Sequence, residues 1–165
     1  MTAAILHITK FVGLLYDSDR TKCIEYINKY NDFYDTPLSG WSSIMYATLY
    51  RRTDVIKELI LKGVNINNKT PIGETALYIA CLYNSDGIAI TLIDAGADFV
   101  DTIDTGILDH YSPRISQYIR NIYQQQIISV VNAERTDSMD NNALATSFRT
   151  TYVPGVIDMI SEFII

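Results

Sequence analysis

Thiols, imidazoles and carboxylates are the side chains here that could do chemistry. The chain has two cysteines, Cys23 and Cys81, and two histidines, His7 and His110. A catalytic thiol needs a base beside it, and a zinc site needs Cys or His residues in close pairs. None of these four residues has such a neighbour in sequence. Asp98, Asp101 and Asp104 recur on a polar stretch, with Asp17, Asp19 and Asp94 on others, but not at the spacing of a calcium loop. There is no glycine-rich phosphate loop and no dinucleotide fingerprint. No catalytic group, no metal and no cofactor is therefore expected, and the chain reads as a non-enzyme. Both cysteines read as packing residues and both histidines as ordinary core or surface positions.

The bulk numbers narrow the class further. A chain of 165 residues suggests one domain. Apolar residues make up 48% and charged residues 19%, which supplies a core and excludes a mainly disordered chain. The formal net charge is −6, and Arg51-Arg52 is the only basic pair. Nucleic-acid and anionic-membrane binders need a basic surface, so neither kind of partner is expected. Two distant cysteines make no disulfide framework, which points to a reducing, cytoplasmic setting. The N-terminal "MTAAILHITKFVGLLYDSD" is apolar but too short to span a bilayer, and His7 and Lys10 interrupt it. It reads as a helix of the fold and not as a signal peptide.

The elements that must position these residues follow from an internal period. Gly40 recurs as Gly73 and Gly106, Ala47 as Ala80, Leu59 as Leu92 and Gly63 as Gly96, every time 33 residues on. The segments "GWSSIMYATLYRRTDVIKELILKGVNIN" and "GETALYIACLYNSDGIAITLIDAGADFV" align without a gap. In the second, Leu77, Ala80 and Cys81 share one helical face, and Ile88, Leu92 and Ala95 share another. The small Ala47 and Ala80 let a neighbouring helix come close. Asn84 falls at the turn between the two helices, where Asn tolerates a left-handed backbone. Gly63 and Gly96 end the second helix of each unit. A single hairpin cannot bury its apolar face, whereas several stacked in register can.

These units resemble ankyrin repeats, whose core is T-P-L-H-x-A. Thr75-Ala76-Leu77-Tyr78-Ile79-Ala80 keeps the Thr, Leu and Ala of that core, with Tyr78 in the histidine place. Gly96-Ala97-Asp98 matches the closing G-A-D. In the preceding unit, Ser42 to Ala47 keeps a hydroxyl, an aliphatic residue and the alanine, Met45 takes the histidine place, and Arg51 stands where a glycine usually falls. The resemblance implies an all-α solenoid of stacked helical hairpins with degenerate capping repeats and extra C-terminal helices. The stack is expected over residues 1–135, as repeats 3–36, 37–69, 70–102 and a capping unit 103–123, with a helical extension over 136–165. Pro113 falls where Ala80 would map, so the helix there must be short or shifted. Ile115, Tyr118, Ile119, Ile122 and Ile127 continue at helical spacing.

The resemblance also implies a function, namely binding of a protein partner through the turn tips and the inner-helix face. Carried over, the tips are Asn67, Asn68, Lys69 and Ile72, then Phe99, Asp101 and Asp104. The inner face offers Met45, Tyr50, Arg51 and Tyr78. Repeat geometry is assigned to Gly40, Ala47, Leu59, Gly63, Gly73, Thr75, Leu77, Ala80, Leu92 and Gly96. A monomer is the default oligomeric state. Near the end, Val153-Pro154-Gly155-Val156-Ile157-Asp158-Met159-Ile160 resembles the opening of an F-box, L-P-x-E-I-x-x-x-I-L. Large DNA viruses often place such a segment after ankyrin repeats to recruit a cullin ubiquitin ligase. That likeness implies an alternative role for residues 153–164, in a viral or microbial protein that acts on a host. A packed final helix is the plainer reading of the same residues.

Overall fold

The computed structural model describes residues 2–17, 19–99, 102, 113–122 and 125. Six helices follow one another in pairs: α1 (Ala3–Tyr16) with α2 (Arg20–Lys29), α3 (Ser43–Leu49) with α4 (Thr53–Leu61), and α5 (Ala76–Leu82) with α6 (Asp86–Asp94). Residues 113–122 are also helical. Among the described residues there is no strand, only one isolated bridge between Leu38 and Trp41. The fold is the all-α stack of helical hairpins that the period implies. The first helices form an inner row, α1 against α3 and α3 against α5, while α2 packs on α4 in the outer row.

The inner helices α3 and α5 have seven residues each. Helices of about two turns are not stable alone in water, so packing must hold them. Ile44, Ala47, Leu77, Ala80 and Cys81 are buried between the rows, as are Leu59 and Leu92 on the outer helices. Phe11 and Phe33 fill the first unit with ring centroids 5.0 Å apart. Cys23 is buried in the same core, and burial pushes the pKa of its thiol up.

Local chemistry fixes the helix ends. Thr75 Oγ1 accepts the Tyr78 N–H at 3.1 Å and so caps α5, and Asp19 caps α2 by accepting from Lys22 at 3.0 Å. The C-terminal ends repeat one motif. Val64 N–H reaches the Leu59 carbonyl at 3.2 Å, and Ala97 N–H reaches the Leu92 carbonyl at 2.9 Å. Gly63 and Gly96 sit inside those loops at φ +80° and +93°, where a glycine is least strained. The inner helices close in the same way, Arg52 N–H to Ala47 and Ser85 N–H to Ala80, at 2.9 and 2.8 Å. There the left-handed residue is Arg51 (φ +54°) or Asn84 (φ +50°), not glycine.

Pro113 is the first described residue of the helical stretch 113–122. Ile115 and Ile119 are buried and Tyr118 and Ile122 half-buried against the stack. Arg114 pairs with Asp86 at 3.5 Å, and the Tyr118 hydroxyl donates to Asp94 at 2.5 Å. Gly106, Ile127 and the expected extension 136–165 lie outside the described residues.

Candidate protein-binding surface

The turns between units line one edge of the stack. In the first, Leu38 and Trp41 exchange both backbone hydrogen bonds, at 2.9 and 3.0 Å. Ser39 and Gly40 between them sit at φ +52° and +85°, the two positive values of a type I′ turn. In the next, Thr70 holds the loop closed. Its N–H donates to the Glu74 carbonyl at 2.9 Å, and its hydroxyl accepts the Glu74 N–H at 3.0 Å. A Cβ built on Gly40 would lie 2.8 Å from Pro71 Cδ, so the two tips touch.

A polar ladder ties the tips together. Asp35 Oδ1 accepts the Asn65 N–H at 3.0 Å and the Asn68 side-chain amide at 2.7 Å. Asn65 in turn donates to Asn68 Oδ1 at 3.0 Å, and its own Oδ1 accepts the Asn67 N–H at 3.0 Å. Asn67 reaches forward to the third unit, where its Oδ1 accepts the Asp98 N–H at 2.8 Å and its amide donates to the Gly96 carbonyl at 3.4 Å. Satisfying turn amides across units in this way fixes tip spacing.

The residues expected to bind a partner therefore divide. Asn67 and Asn68 are exposed or half-exposed, but their side chains hold neighbouring tips. Lys69 is exposed, and Ile72 is 80% exposed beside Pro71. Phe99 is half-buried against the core, as is Tyr78 in the first turn of α5. Met45 requires correction. It is fully buried, and its Sδ lies 3.4 Å from the Ser42 N–H, so it offers a partner no surface. Its flexible thioether folds back into the core that the histidine place would leave. Asp101 and Asp104 lie outside the described residues.

Tyr50 and Arg51 belong to the opposite edge, where inner helices turn into outer ones. Arg51 is exposed and its Nη2 donates to the Tyr83 carbonyl at 2.7 Å, linking the second unit to the third. Arg52 points the other way, to the Leu15 carbonyl at 3.3 Å. Tyr16 and Tyr50 meet edge to face with centroids 6.4 Å apart. Sequence reasoning passed over Asp35, Tyr16 and Tyr83. The tyrosines had a signal, because 16, 50 and 83 are 34 and 33 apart.

His7, Tyr34 and Tyr46 are held by contacts within the fold. His7 Nδ1 lies 2.7 Å from Asp32 Oδ1 and its ring stacks on Tyr30 at 4.1 Å. The Tyr34 hydroxyl donates to the Ile27 carbonyl at 2.7 Å, and the Tyr46 hydroxyl to the Leu38 carbonyl at 2.9 Å. Among the described residues no group of three or more His, Cys, Asp or Glu could hold a metal ion. No helix among them is long and apolar enough to cross a membrane.

Comparison with known proteins agrees with this geometry. A family model described as ankyrin repeats, in three copies, matches residues 2–103. A BTB/POZ domain and ankyrin repeat-containing protein of Oryza sativa subsp. japonica is 30% identical over 107 residues. The match takes in 57% of this chain and 18% of that protein, so the chain spans less than a fifth of the relative's length.

Proposed function

The chain belongs to the ankyrin-repeat family, and from that membership we propose that it binds a partner protein through its turn-tip edge. Ankyrin repeats are generally protein-interaction scaffolds and not catalysts. The observation that supports this edge is Ile72. Its side chain is 80% exposed on a tip whose polar neighbours are held by one another. An isolated apolar side chain on a rigid turn loses little entropy on docking and fits the anchor role. Cys23 is a buried free thiol, which supports an intracellular setting.

Leu61 provides the control, because it is 79% exposed but sits at the end of the outer helix α4. A photo-crosslinking residue at 72 should capture the partner and the same residue at 61 should not. Ile72→Ala should weaken the captured complex by about tenfold or more. Equal capture from both positions would reject the tip edge. A second reading, an adaptor that recruits a ubiquitin ligase, is supported by the F-box-like pattern over 153–164, and with it the host-directed viral or microbial role. Deleting 151–165 should then abolish pull-down of a ligase subunit and leave the helical signal intact. Loss of the fold on deletion would make the segment structural.

A further inference from the structure

The edge opposite the tips carries a row of side chains that recurs with the repeat. Tyr16 is the last residue of α1, and Tyr50 and Tyr83 are the C-caps of α3 and α5. Tyr16 is 74% and Tyr83 46% exposed. The hydroxyls of Tyr34 and Tyr46 donate to carbonyls, but those of Tyr50 and Tyr83 make no hydrogen bond among the described residues. Arg51 lies between Tyr50 and Tyr83, in a left-handed slot that Asn84 fills in the next unit. Side chains other than Asn and Gly enter that slot only with strain, and strain of this kind is retained where the residue serves a purpose.

Among the described residues Arg51 makes no ion pair. Its partner is the neutral Tyr83 carbonyl, while Asp54 is paired with Arg20 at 3.0 Å and Asp86 with Arg114 at 3.5 Å. A guanidinium carries five N–H donors in a planar fork, so one carbonyl leaves room for a carboxylate. Asp17 stands beside Tyr16 and makes that end of the row less positive than the Tyr50–Tyr83 end. Packed helices lie about 8–10 Å apart, and three residues of an extended polyproline-type peptide span about 9 Å. The rise over three residues of such a peptide thus matches the usual spacing of packed helices.

We propose that this edge binds an extended acidic peptide segment of a partner protein, with one carboxylate on Arg51 and the flanking residues on Tyr50 and Tyr83. The site is independent of the tip edge, since the two lie at opposite ends of the inner helices.

The test is fluorescence anisotropy of a dye-labelled peptide of about ten residues, alternating glutamate and proline so as to hold the extended form, titrated with the intact chain. Saturable binding should appear, weaken with salt, and fall by about tenfold or more when glutamine replaces glutamate. Arg51→Asn, which suits the left-handed slot, and Tyr83→Ala should each weaken binding by about fivefold or more. Ile72→Ala should leave it unchanged, which separates this site from the tips. No saturation by about 1 mM peptide, equal binding of the glutamine peptide, or full binding by a folded Arg51→Asn chain would overturn the proposal. If Arg51→Asn does not fold, Tyr50→Ala and Tyr83→Ala decide, because both leave the Tyr83 carbonyl in place for Arg51. If the chain self-associates through this edge and Arg51→Asn makes it monomeric, the occupant is a second copy and the peptide proposal fails.

Discussion

The two edges of the stack connect the same three units with opposite chemistry. At the tips, amides and a carboxylate bond one another across units, Asp35 to Asn65 and Asn68, and Asn67 to Asp98. The most exposed apolar side chain beside them is Ile72, next to the exposed Lys69. At the helix-turn edge the links run from arginines to backbone carbonyls, and aromatic rings remain outward. A polar residue on a turn is thus a poor guide to partner contact. Its hydrogen-bond partner decides whether it sets geometry or is available for recognition.

The largest expected effect breaks the tip side alone. Gly40 sits at φ +85° with Pro71 Cδ 2.8 Å from where a Cβ would be. Gly40→Ala should cost about 2–3 kcal/mol, the sum of left-handed strain and the displaced proline ring. Gly63 has nearly the same backbone, φ +80°, with no atom within 4 Å of the added methyl. Gly63→Ala should cost only the strain, about 1 kcal/mol. Urea unfolding of both variants measures the difference. Equal losses would mean that the touch between the tips contributes nothing.

A smaller effect tests the ladder. Asn67→Ala removes the acceptor for the Asp98 N–H and the donor to the Gly96 carbonyl. The site is exposed and water can replace both bonds, so the loss should be about 0.5–1.5 kcal/mol. Hydrogen exchange at the Asp98 amide should accelerate, while the amides of α3 keep their protection. Unchanged exchange at Asp98 would show that this rung does not order the third tip.

These contrasts also explain what could be read in the sequence. The period was legible because its markers are backbone requirements: Gly40 and Gly73, like Gly63 and Gly96, all hold positive φ, which few other residues accept. Ala47 and Ala80 were legible because close helix packing excludes larger side chains. The tip ladder was not legible, since its partners are about 30 residues apart and no local pattern links Asp35 to Asn68. Met45 was misplaced because position in a motif gives a helix face, whereas a flexible thioether can turn from that face into the core. The tyrosine row carries the period but acquires meaning only once Tyr16, Tyr50 and Tyr83 are seen to stand at three helix ends.

The smallest expected effect is the sharpest test of the helix-turn edge. Arg51 combines two opposing contributions, a strained backbone at φ +54° and a 2.7 Å bond to the next unit. Arg51→Ala keeps the strain and loses the bond, so it should destabilise by about 1 kcal/mol. Arg51→Gly loses the same bond but relieves about 1 kcal/mol of strain, so it should be nearly neutral. Among the described residues Asn84 has no cross-unit side-chain bond, and its strain is small, so Asn84→Gly should change stability by less than about 0.5 kcal/mol. If Arg51→Gly is as damaging as Arg51→Ala, the backbone there is not strained. The arginine would then be held by its link to Tyr83 alone, and the strain would no longer argue that the position serves a partner.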